Sequence, residues 1–130
     1  MKKEIVIDGN RITDKSSLYE EINRQFMENE DWQLGESLDA LDDLLYGGFG
    51  ILKENEEIRL VWKNFEENKC LFGHEFTREF YAQKLEFPDD YNSDIIQKKL
   101  EELNSGKGQT YFDIILEIID EHKNIELIKK

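Results

Sequence analysis

Glu4-Ile5-Val6-Ile7-Asp8, followed by Gly9-Asn10, places three consecutive β-branched residues in front of a turn signal. Such a run predicts a strand ended at Asp8. Its apolar residues do not alternate with polar ones, which predicts burial on both faces, as in a parallel sheet. Working outward, Ser16 or Ser17 is expected to cap a helix to about Met27, with Glu20 as capping-box partner of Ser17. Leu18, Ile22 and Phe26 recur every fourth residue as its buried stripe. A second helix begins at Glu36 or Ser37 and runs to Tyr46, where Gly47-Gly48-Phe49-Gly50 stops it. Ile58-Arg59-Leu60-Val61-Trp62 reads as the second strand, and residues 65–72 as a short helix or turn.

The remainder is mostly helical. Phe76 and Phe80 suit a helix ending near Leu85, which Pro88, Asp89 and Asp90 break. Asn92 or Ser93 caps another helix, with Ile96, Leu100 and Leu103 on one face. A loop over residues 104–108 leads to a strong helix from Gln109 to His122, and Ile125-Glu126-Leu127-Ile128 is a final strand. Strands separated by helices predict the α/β class, a parallel sheet with right-handed crossovers.

Composition restricts the partners. The 130 residues suit one domain, and the net charge of -13, from 30 acidic and 17 basic residues, repels nucleic acid and anionic lipid. It attracts basic proteins and speeds their arrival, although an acidic surface also serves solubility alone. With Cys70 the single cysteine, no intrachain disulfide forms. No stretch reads as a signal peptide or as the roughly 18 apolar residues of a membrane span. A reducing cytoplasm is the expected location, with no membrane association.

Two acidic faces stand out. On the helix ending at Tyr46, Leu38, Leu41 and Leu45 point one way while Glu36, Asp39, Asp43 and Tyr46 occupy a neighbouring face. Asp39 and Asp43 are four apart, a like-charge spacing that destabilises a helix by about 0.2–0.5 kcal/mol. Glu36, near the positive helix N-terminus, offsets part of this. On the helix from Gln109, Asp113, Glu117, Asp120 and Glu121 form a second stripe. Taken singly, each is more often an ordinary solvated face; two on neighbouring helices of one small domain would form a coherent negative surface.

Other motifs are weak. Cys70 and His74 lack further ligands at zinc spacing, and His122 is isolated. The acidic run from Asp89 to Asp94 has no calcium-loop glycine, and the glycine pairs lack the phosphate-loop pattern. No nucleophile sits beside a recognisable base, and paired carboxylates are expected by chance among 30 acidic residues. Trp62 and Phe65 read as core. No metal, cofactor or catalytic residue is expected.

Leu34-Gly35-Glu36-Ser37-Leu38-Asp39-Ala40-Leu41-Asp42-Asp43-Leu44-Leu45 resembles the signature helix of the barstar family, an aromatic pair followed by Gly-Glu-Asn-Leu-Asp-Ala-Leu-Trp-Asp. Val61-Trp62-Lys63-Asn64-Phe65-Glu66 resembles the family's strand ending in Trp-Arg-Gln-Phe-Glu, and the opening strand with Asp8-Gly9 and the closing helix and strand fit its order. The resemblance covers residues 1–71 and 109–130. It implies one barstar-like domain over residues 1–130, a three-stranded parallel sheet packed with helices, with a helical insertion over about 73–108.

The resemblance also implies an inhibitor rather than an enzyme, one that plugs the basic cleft of a ribonuclease or nuclease toxin with an acidic helix. It implies contact roles for Asp39 and Asp43 on the signature helix, Tyr46 and Gly47 after them, and Glu117 and Glu121 on the last helix. The chain departs from the pattern at several positions. Gln33 and Leu34 replace the aromatic pair, with Trp32 one residue away; Ser37 replaces asparagine, Asp42 tryptophan, and Gly48 a second contact tryptophan. About five extra residues lie near Lys53 to Glu56. A basic nuclease other than barnase is therefore the expected partner, for a chain expected to be monomeric when free. The alternatives are a barstar-fold interaction module without inhibition and a carboxylate-based hydrolase.

Overall fold

The computed structural model describes residues 2–130. Among these, the chain divides into two compact units: the chain through Asn68 together with Ile115–Lys130, and Lys69–Ile114.

In the first unit, strands β1 (Lys3–Asp8), β2 (Ile58–Lys63) and β3 (Ile125–Lys129) form a parallel sheet in the order β1-β2-β3. Ile5 lies opposite Leu60, and Ile58 opposite Ile125. The central strand is the most covered: Leu60, Val61 and Trp62 are buried in succession, so both of its faces are dry there. On the edge strand β1, Ile5 and Ile7 are buried but Val6 is only half-buried. The expected burial on both faces thus holds for β2 and only partly for β1, because an unbroken apolar run does not reveal which strand is central.

Helix α1 (Lys15–Phe26) buries Leu18, Ile22 and Phe26, the stripe its spacing predicts. Its cap corrects the sequence reading. Asp14 is the N-cap and accepts from the Ser17 backbone N–H, while the Ser17 hydroxyl accepts from the Asp14 N–H; Ser16 and Glu20 play no part in this box. A carboxylate one turn ahead outcompetes the serines because Ser17 serves better as its reciprocal partner. Inside the unit, buried Glu21 accepts from the Asp8 N–H at 2.8 Å and pairs with Arg24. Asn68 accepts from the Trp62 indole N–H at 2.8 Å and donates to the Gly9 carbonyl at 3.1 Å, tying the ends of β1 and β2 together.

Helix α2 (Leu38–Leu45) is shorter than expected. Ser37 is its N-cap, extended at φ -145°, with its side chain accepting from the Ala40 N–H. Glu36 therefore precedes the helix and does not share its face. The Glu36 carboxylate accepts from the Ser16 hydroxyl at 3.1 Å instead.

Helix α3 (Phe65–Leu71) resolves the helix-or-turn reading as a helix; α4 (His74–Leu85), α5 (Ser93–Asn104) and α6 (Tyr111–Glu121) follow. Asn92 caps α5. In the second unit, Tyr81, Ile96 and Leu103 are buried and Phe80, Leu85 and Leu100 pack on them. The Thr77 hydroxyl donates to the Gly73 carbonyl and accepts from the Tyr111 N–H, each at 2.7 Å. Helix α6 starts two residues later than predicted, because Thr110 and Asp113 cap it reciprocally at 3.0 and 3.1 Å. Asp113, expected in the acidic stripe, is committed to that cap. No helix among the described residues is long and apolar enough to cross a membrane.

Candidate functional site

Helix α2 is Leu-Asp-Ala-Leu-Asp-Asp-Leu-Leu, amphipathic by its leucines: Leu41, Leu44 and Leu45 are buried. Its other side carries Asp39, exposed, Asp42, half-buried, and Asp43, exposed. Only Asp39 sits in the first turn, where the helix dipole favours a carboxylate. Asp42 and Asp43 lie toward the C-terminal end, where the dipole disfavours negative charge, and no basic residue occupies the last turn. Among the described residues, no ion pair engages Asp39 or Asp43. The helix thus holds three carboxylates in eight residues and no basic residue of its own.

Asp42 alone is answered, by His122. The imidazole Nε2 lies 2.7 Å from Asp42 Oδ1, and His122 is 7% exposed. A carboxylate only accepts, so Nε2 carries the proton. The Tyr46 ring meets the imidazole edge-on, centroids 4.6 Å apart at 80°. The His122 carbonyl also accepts from the Ile125 N–H at 3.0 Å, at the start of β3. One residue therefore joins α2, the residue after α2 and the turn between α6 and β3. Glu121 is exposed and adjoins His122 in the chain, as exposed Asp43 adjoins Asp42.

Glu117, also exposed, lies one turn earlier on α6. It borders a groove of about 540 Å³ with Leu116, Ile119, Asp120, Leu127 and Lys129, on the side of β3. Tyr46 is 63% exposed. Gly47 is buried in the left-handed region at φ 85°, and a Cβ there would come within 2.5 Å of the Lys53 carbonyl. The turn after α2 is thereby pressed against the Lys53-Glu54 backbone. Asp42 and His122 escaped the sequence reading as a pair: 80 residues separate them, and an isolated histidine carries no signal of burial.

A family model described as Barstar (barnase inhibitor) matches residues 2–78, which include β1, α2 and β2 and therefore Asp39, Asp43, Tyr46 and Gly47, but not Glu117 or Glu121. No curated protein and no solved structure matches the chain. The match spans more than half of the 130 residues, and it falls on the parallel sheet and on the carboxylate-bearing helix just described; the chain belongs to the barstar family.

Proposed function

We propose that the chain is an intracellular inhibitor that binds a basic ribonuclease, or a nuclease toxin, and blocks its active-site cleft with the acidic face of α2. The observation that carries this reading is the uncompensated charge on α2. Asp39 and Asp43 stand exposed on an eight-residue helix with no cation of its own, in an arrangement that costs folding stability. Departures from local preference concentrate at functional sites. A positive cleft built to hold phosphates supplies the missing cations, and the net charge of -13 speeds the approach. Glu36, Tyr46, Glu117 and Glu121 complete the proposed contact surface, while buried Gly47 supports it by letting the chain turn sharply after Tyr46. The protein acts by occupying the cleft and performs no chemistry.

The test is RNA cleavage by barnase and by a panel of other basic ribonucleases and toxin nucleases, each with and without the protein. The wild type inhibits at least one. Asp43→Ala raises the inhibition constant at least about 30-fold, the roughly 2 kcal/mol threshold of an interface hot spot, for which the barnase–barstar pair is itself a standard example. The urea midpoint of Asp43→Ala stays at or above that of the wild type. Inhibition weakens as salt is raised. Equal inhibition by wild type and Asp43→Ala, or none across the panel, overturns the reading.

A further inference from the structure

Trp32 and Phe49 stand at the two ends of the segment that holds α2, and their rings touch, centroids 5.0 Å apart at 49°. Trp32 is 46% exposed and Phe49 half-buried. The backbone around the pair is fixed. The Leu34 N–H donates to the buried Asn23 side chain at 2.8 Å, the Gly50 N–H to Glu30 at 2.9 Å, and the Ile51 N–H to the Phe26 carbonyl at 2.8 Å. Both approaches to α2 are thus tied to the end of α1, and the aromatic pair is held in place before any partner arrives.

Beside Trp32 lies an open groove of about 700 Å³ bordered by Glu20, Glu28 and Asp31. Arg24 also borders it, but its guanidinium is paired with the buried Glu21. Among the described residues, no ion pair engages Glu20, Glu28 or Asp31. An exposed indole and unpaired carboxylates lining one groove are chemistry for a planar cation. A guanidinium stacks on the ring and donates to the carboxylates at once, whereas an ammonium lacks the plane to stack.

We propose that Trp32, in contact with Phe49, together with Glu20, Glu28 and Asp31 of the same groove, binds an arginine side chain of the same basic protein that α2 engages. The assignment of that protein rests on the inhibitory reading above; the arginine site itself does not. It extends the proposed contact surface from α2 onto α1 and the loop that follows it.

The full-length protein is titrated with hexa-arginine and with hexa-lysine in low salt, by calorimetry and by tryptophan fluorescence. Trp62 is buried, so a ligand-induced change reports on Trp32. Hexa-arginine binds the wild type and shifts the emission. Trp32→Ala, which leaves the net charge unaltered, weakens it by about 2- to 30-fold, the range of a cation–π contact. Trp32→Phe recovers part of the loss, hexa-lysine binds less tightly than hexa-arginine, and Asp43→Ala keeps the fluorescence response. Equal affinity of wild type and Trp32→Ala, or no binding to the wild type, overturns the proposal. Ribonuclease inhibition is read separately: loss of inhibition with Trp32-dependent arginine binding retained defeats the functional reading alone, and the reverse defeats the arginine site alone.

Discussion

The imidazole of His122 donates from Nε2 to Asp42 Oδ1 at 2.7 Å, joining residues 80 positions apart. His122 is buried, so its N–H has no water to turn to if the acceptor is lost. Asp42→Ala is expected to destabilise the fold by about 1–3 kcal/mol, the desolvation penalty of an orphaned buried donor. Asp42→Asn keeps an acceptor oxygen and retains most of the stability, despite losing the charge. Urea unfolding of the three proteins decides it. Equal midpoints for Asp42→Ala and wild type would show that the bond contributes nothing.

The same contact shows where the sequence stops being readable. The element types and their order along the chain follow from local signals: Ile5-Val6-Ile7 before Asp8-Gly9, the leucine spacing of α2, and the glycines that end it. Asp39, Asp43 and Tyr46 were legible because helical periodicity separates them from Leu41 and Leu45. The choice of cap was not, since Asp14, Ser16 and Ser17 are all good caps and only the reciprocal Asp14–Ser17 bonds select one. Glu36 reads as helical because a serine suits either the N-cap or the first turn, and only the bond from the Ala40 N–H to Ser37 fixes the boundary. The pairs Asp42–His122 and Trp32–Phe49 depend on tertiary closure, which no local periodicity encodes.

Gly47 and Gly48 are neighbours with opposite requirements. Gly47 has φ 85°, and an added Cβ would meet the Lys53 carbonyl carbon and oxygen at 2.5 Å. Backbone strain and a clash with main chain, which cannot rotate away, act together. Gly47→Ala is therefore expected to destabilise by about 2 kcal/mol or more. At Gly48 an added Cβ meets nothing within 4 Å. Gly48→Ala should stay within about 0.5 kcal/mol of wild type. Thermal unfolding of the two variants tests the contrast, and a Gly47→Ala protein as stable as Gly48→Ala would refute the tight turn after α2.

Acid should weaken the fold through carboxylates bonded in the native state. The backbone N–H of Ser17, then its hydroxyl, holds the Asp14 carboxyl below its usual range. Hydrogen bonds from Arg59 and then Lys2 do the same for Glu126. For Asp8 the backbone N–H of Asn10 is the main cause. A group whose folded value is depressed releases its proton more readily when folded, so below about pH 4 the unfolded chain binds more protons. Each contribution is present above the unfolded value and disappears as pH falls through the folded one. Asp14→Asn keeps a capping oxygen without the titrating charge, so its urea midpoint should fall less steeply between pH 5 and pH 2 than that of the wild type. Parallel midpoint–pH curves for the two proteins would remove Asp14 from the account of acid sensitivity.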